Sequence, residues 1–149
     1  MSRIGVFGIR KFLVCKMKNI AIKENHLYLK AYRQGKRFVG KTVAVYVLRD
    51  YAAARLKKEH PQKLFVNRLG LTVSKKIGGA VERNRAKRVI RAAYDTQRDG
   101  LKTGFLIVIS AREAINDAKS TDVARELESA FSKLEMKKDR AKNADNLKQ

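Results

Sequence analysis

The chain has 149 residues, enough for one domain with a real core but not comfortably for two. Lys and Arg number 35 against 14 Asp and Glu, a formal charge of +21 that favours association with polyanions and leaves RNA, DNA and an acidic membrane surface open. Cys15 is the only cysteine, so no disulfide partner exists within the chain, which fits a reducing cytoplasm. No run approaches the ~18 apolar residues of a membrane span, and His26 and His60 lie too far apart in sequence to suggest a zinc site.

Residues 1–19 are basic and sparsely apolar, and read as a loose N-terminal arm in which Arg10, Lys11, Lys16 and Lys18 are candidate RNA contacts. Residues 23–34 read as a short helix. Leu27, Tyr28, Ala31 and Tyr32 form its apolar stripe, and Gly35 is a natural stop just beyond it. Aromatics on such a stripe are more often core than ligand platform. Residues 42–48 read as a strand with Val43, Val45 and Val47 on one face and Ala44, Tyr46 and Leu48 on the other. Two apolar faces suggest a central strand, or one whose second face lines a cleft. A base stacked on Tyr46 would be worth ~1–3 kcal/mol, and a core tyrosine with a satisfied hydroxyl is the competing reading.

Residues 49–67 are long for a connection between strands and read as an inserted loop. Within it, residues 50–59 carry a helical Ala/Lys pattern that Pro61 ends. Residues 67–74 return to strand alternation, with Leu69, Leu71 and Val73 opposite Gly70, Thr72 and Ser74. Gly78-Gly79 break that pattern, and a helix follows to about Asp95. Ala86, Val89, Ile90 and Ala93 fall on one apolar stripe. At about 100° per residue, Asn84, Arg88 and Arg91 lie opposite it, with Arg85 and Lys87 flanking them and Arg83 in the first turn.

From Lys75 to Arg91 there are seven basic residues and one acidic residue, Glu82. A face chosen for solubility mixes signs, because like charges one turn apart repel. This single-sign face therefore reads as a polyanion-binding surface. The Gly-Gly turn adds free backbone N–H groups at a helix N-terminus, a ready anion site. Further on, residues 105–109 are an unbroken apolar run that belongs inside a sheet. Ser120 or Thr121 is the expected cap of a last helix with Val123, Leu127, Ala130, Phe131 and Leu134 on its stripe. Residues 137–149 are charged and unpatterned, the signature of a disordered basic tail.

Helices with apolar stripes need a sheet as partner, so the fold expected is α+β, a two-layer α/β sandwich with a sheet of about four strands packed by helices. Residues 20–136 make up its single RNA-binding domain. No nucleophile–base pair and no paired carboxylates are visible, so the residues themselves indicate an RNA- or DNA-binding module. Duplex DNA is the weaker choice, because no second helix precedes the basic one in helix-turn-helix fashion.

Ser74-Lys75-Lys76, Gly79-Ala80-Val81, Arg83-Asn84-Arg85, Lys87-Arg88 and Arg91 with an aromatic at Tyr94 resemble the signature of the bacterial ribonuclease P protein subunit. The resemblance implies a left-handed βαβ crossover around the signature helix, which nothing in the pattern itself shows. It implies a catalytic RNA subunit that holds the active site and its magnesium, with no catalytic residue in the protein. It further implies RNA binding by Lys75, Lys76, Arg83, Asn84, Arg85, Lys87, Arg88 and Arg91, and a cleft for the 5′ leader of precursor tRNA. Related subunits have an aromatic at the position of Tyr28 lining that cleft. Tyr28, Tyr32, Tyr46 and Ser74 are its candidates here, although Leu27 stands where most relatives carry an acidic residue. The alternative is a structural ribosomal-type RNA-binding protein with no part in cleavage.

Overall fold

The computed structural model describes residues 20–52, 55 and 67–138. The expected arm at 1–19, Pro61 with most of the expected insertion helix, and residues 139–149 of the tail lie outside the described residues. The elements are β1 (Ile20–Ala21), α1 (Asn25–Gln34), β2 (Lys36–Val39), β3 (Val43–Arg49), β4 (Arg68–Thr72), α2 (Ala80–Asp95), β5 (Phe105–Ala111) and α3 (Ser120–Lys133). They form one sheet in the order β1-β4-β5-β3-β2. β2 and β3 are an antiparallel hairpin, β3 pairs antiparallel with β5, and β4 pairs parallel with β5 through the α2 crossover.

The fold is α+β as expected, with strands added at both edges. β1 is two residues long and pairs parallel to β4. β2 has the sequence KRFV, mostly exposed, and its pairing partner rather than its own pattern makes it a strand. Lys and Arg on such an edge discourage pairing with another chain.

Strand alternation divides the core in two. Val43, Val45, Val47, Leu69, Ile107 and Ile109 face α2 and α3, whose Ala86, Ile90, Ala93, Leu127, Ala130 and Phe131 close over them. Leu106 and Val108 face the other way and meet Ala31 of α1, with Tyr28, Tyr46 and Leu48 packed alongside. The apolar character of both faces of β3 is thus used: one face is the main core and the other meets α1.

Three local details differ from the sequence reading. Ser120 and Thr121 do not cap α3; Lys119 stands at the cap, and the Asp122 carboxylate accepts its backbone N–H at 3.2 Å. Lys137 and Lys138 are not part of a loose tail. Lys137 bridges to Leu101, and the Lys138 N–H donates to Gly100 O at 2.9 Å. At the other end of the insertion, Asp50 and Arg68 form a bidentate pair at 2.6 and 2.8 Å, with side chains 5% and 13% exposed. This pair holds the outgoing and returning chain together at the base of the insertion, so removing one partner would leave a buried charge, at a cost of about 3–5 kcal/mol.

Candidate nucleic-acid interface

β4 ends at Thr72, and Lys75–Ile77 wind into a tight turn before α2 begins. Gly78 has a φ of +143°, a backbone state that side-chain-bearing residues rarely adopt, which explains a glycine at this point. Its N–H donates to Lys75 O at 3.3 Å. Glu82 bends back over the turn, its Oε2 only 3.1 Å from where a Cβ on Gly79 would stand. The helix N-terminus is therefore faced by its own carboxylate, and a phosphate arriving there meets that negative charge first.

The cationic side of α2 is arranged as its period predicts. Ala86, Ile90, Ala93 and Tyr94 are buried, while Asn84, Arg85, Arg88 and Arg91 are exposed and Arg83 and Lys87 are half-buried. Lys75 and Lys76 are exposed in the preceding turn. Arg88 and Arg91 have no hydrogen-bond or ion-pair partner among the described residues. Arg85 differs: its guanidinium donates to Asn116 O at 3.1 Å and Ala118 O at 3.4 Å. It ties α2 to the segment before α3, a second task that the helical wheel does not reveal. Tyr94 closes the buried side, and its hydroxyl has no hydrogen-bond partner among the described residues. Burial pushes this phenol up to about 12, and the neighbouring Asn67 amide offsets that only in part.

Across the sheet, α1 and the strands gather tyrosines. The Tyr32 and Tyr46 rings meet edge to face, centroids 4.7 Å apart at 87°. The Tyr32 hydroxyl is 3.0 Å from Thr72 Oγ1. The Tyr28 hydroxyl donates to Ile22 O at 3.3 Å, and burial, followed by the proximity of Tyr32, raises its pKa. Tyr32 is exposed while Tyr28 and Tyr46 are half-buried, so the group has both a packed base and an open rim. Ser74 is not in this group: it lies beyond the end of β4, beside Lys41, Lys76 and Arg112. Thr72 is the hydroxyl that joins the tyrosines. The alternation Gly70-Thr72-Ser74 pointed at that face, but the strand stops before Ser74 reaches it.

Among the described residues, no group of three or more His, Cys, Asp or Glu is placed to hold a metal ion. His26 is exposed beside Glu24 at 3.3 Å. No helix among them is long and apolar enough to cross a membrane.

A basic helix after a strand and a Gly-Gly turn, backed by a tyrosine face across the sheet, has clear counterparts. The ribonuclease P family model matches residues 17–135. The chain belongs to the ribonuclease P protein family. It is 34% identical over 117 residues to the ribonuclease P protein component of Clostridium acetobutylicum, covering 78% of this chain and 90% of that one. With the Syntrophus aciditrophicus component it shares 37% over 110 residues, 74% of this chain and 82% of the other. The Staphylococcus aureus RNase P protein structure superposes with a TM-score of 0.63 at 26% identity, covering 81% of this chain and all of that one (100%). As a ribonuclease P protein, the chain is the protein subunit of a ribonucleoprotein endoribonuclease that matures the 5′ end of tRNA, and its partner is RNA.

Proposed function

We propose that the cationic face of α2 binds the catalytic RNA of ribonuclease P, while the tyrosine face holds the single-stranded 5′ leader of precursor tRNA. Lys75, Lys76, Arg83, Asn84, Arg85, Lys87, Arg88 and Arg91 make up the first surface. Tyr28, Tyr32 and Tyr46, with Thr72, make up the second. The magnesium that cleavage uses is held mainly by the RNA, and the complex works in the cytoplasm.

The observation that carries this reading is the separation of the two surfaces. α2 packs on one face of the sheet, and the Tyr32–Tyr46 pair lies on the other. One short RNA segment does not reach both, so each surface suits a different RNA element. The chemistry differs accordingly. Arg-rich helices suit the phosphates of a folded RNA. Rings at a sheet surface suit the unstacked bases of a single strand.

The test is Tyr46→Ala in the reconstituted complex. Affinity for precursor tRNA with a leader should fall by about 1–3 kcal/mol, the worth of one stacked base. Affinity for mature tRNA and for the catalytic RNA should hold. Equal losses on all three would make Tyr46 a packing residue and remove the leader from this face.

A further inference from the structure

Glu82 is the one acidic residue among seven basic ones between Lys75 and Arg91. Opposite charges one turn apart on a helix attract and commonly pair. Glu82 is exposed and makes no ion pair or hydrogen bond among the described residues. Its cationic neighbours are turned elsewhere. Arg85 donates to the carbonyls of Asn116 and Ala118, and Arg83 Nε donates to Gly79 O at 3.4 Å.

The Glu82 side chain is directed at the backbone of the turn instead. Helical side chains lean toward the N-terminus, and Glu82 stands in the first turn of α2. Its stem covers Gly78, where a Cβ would lie 3.0 Å from Glu82 Cβ and 3.1 Å from Cγ. Its carboxylate reaches on to Gly79. The N–H groups of Gly79, Ala80, Val81 and Glu82 have no backbone partner among the described residues. Arg83 is the first in the helix whose N–H does, donating to Gly79 O at 3.0 Å. These free donors, at the positive end of the helix dipole, are what an incoming phosphate would use. A carboxylate already stands over them.

The rest of the cationic face is open. Arg88 and Arg91 lie about 9 and 13 Å further along the helix axis, at a rise of about 1.5 Å per residue. A folded RNA presents its phosphates at fixed spacings and can engage these arginines without approaching the turn. A flexible strand has no fixed spacing and settles wherever donors are free. A negative charge at the turn therefore acts against the flexible strand more than against the folded one, which is discrimination by a repulsive element.

We propose that Glu82 is a specificity-determining residue of the RNA-binding face. Its carboxylate holds loose single strands off the start of α2 and leaves the arginines further along to a folded RNA. This inference rests on α2 binding the catalytic RNA.

The experiment titrates the full chain with the catalytic RNA and with a short oligouridylate, each at stepped salt. The proteins are the parent, Glu82→Gln, Glu82→Asp and Arg88→Ala. Glutamine keeps the length and shape of the side chain and removes only its charge. Glu82→Gln should bind the oligouridylate about fivefold more tightly, the upper range for one charge at an exposed helix N-terminus. Its log–log salt slope on that strand should steepen by ~0.7, the mark of one more phosphate contact. Its affinity for the catalytic RNA should hold within about twofold. Glu82→Asp keeps the charge and should keep the parent's preference. If Arg88→Ala weakens the catalytic RNA while Glu82→Gln gains equally on both RNAs, the carboxylate damps all binding and selects nothing. The proposal is then wrong and the reading of α2 stands. If Glu82→Gln lowers the melting temperature and moves neither affinity, Glu82 serves the helix alone and the proposal again falls. If Arg88→Ala leaves binding of the catalytic RNA unchanged, the reading of α2 fails, and this inference with it.

Discussion

The Tyr28 ring occupies the space that a side chain on Gly70 would need: a Cβ built there would lie 2.6 Å from Tyr28 Cε1 and 2.8 Å from its Cζ. The glycine lets the α1 tyrosine seat directly on the β4 backbone, while its hydroxyl is held by Ile22 O. Tyr28 is therefore the packed base of the tyrosine group, and Tyr32 and Tyr46 form its open part.

Gly70→Ala should push Tyr28 off the strand. The ring is bonded at its far end and cannot slide freely, so overpacking of about 1–3 kcal/mol is expected. Leader binding should weaken with it, because Tyr32 and Tyr46 share this support. Combining Gly70→Ala with Tyr28→Ala should destabilise less than the sum of the two changes, since the clash is gone. Urea titrations of the four proteins in this cycle measure the coupling, and strict additivity would mean that the two residues do not press on one another.

Arg85 and Arg88 look alike on a helical wheel and should behave differently. Arg88→Ala should change stability by less than ~0.5 kcal/mol while weakening RNA binding. Arg85→Ala also loses two bonds to the carbonyls of Asn116 and Ala118, so about 1 kcal/mol of stability should go with the RNA affinity. Ile90→Ala, fully buried on the opposite side of the helix, should cost ~2–5 kcal/mol. Thermal melting beside RNA titration separates the three. An Arg88→Ala protein as unstable as Ile90→Ala would mean that the helix is turned the other way.

The features legible in the sequence are those that depend on local period. The stripe Ala86-Val89-Ile90-Ala93 and the two apolar faces of β3 follow from spacing alone, and the structure places them as expected. β1 and β2 depend on partners distant in sequence or across a turn: Ile20 finds Arg68, and Lys36 finds Val47. Nothing within KRFV distinguishes an edge strand from a polar loop. Thr72 and Ser74 were separated by the same kind of effect. Alternation gave both the same face, but the turn at Lys75–Ile77 ended the strand first. The second task of Arg85 arises from carbonyls 31 and 33 residues away, beyond the reach of any local pattern.

Tyr94 gives a pH-dependent prediction. Its folded pKa of about 12 exceeds its ordinary value of 10.0, mainly because burial disfavours the phenolate. The unfolded chain therefore releases this proton first. The contribution to stability is complete below pH ~10 and is lost as pH rises toward ~12, about 3 kcal/mol in all at 1.36 kcal/mol per unit. Tyr94→Phe lacks that slope. At neutral pH the variant should be no less stable than the parent and about 1 kcal/mol more so, because it removes a buried hydroxyl with no partner among the described residues. Urea denaturation of both proteins at stepped pH tests the two parts together. Parallel curves through this alkaline range would mean that the hydroxyl is hydrated in the fold.

The protein alone should cleave nothing, and its benefit to the RNA should shrink as magnesium rises. The first expectation follows from the sequence, which shows no nucleophile paired with a base. The second follows from charge. Catalytic RNA and precursor tRNA are both polyanions and repel one another. On the proposed reading, a chain of net charge +21 placed between them would reduce that repulsion, and concentrated magnesium would do part of the same work by screening. Precursor cleavage should therefore be measured with RNA alone, protein alone and both, across a magnesium series. The rate ratio of complex to RNA alone should be largest at the lowest magnesium and fall steadily toward one for precursors with short leaders. For long leaders a residual advantage should persist at high magnesium if a leader base stacks on Tyr46 as proposed, because a stacked ring contact is made through π-faces rather than charge. A ratio independent of magnesium for both substrates would remove charge neutralisation as the explanation, and magnesium-dependent cutting by RNA-free protein would move catalysis from the RNA to this chain.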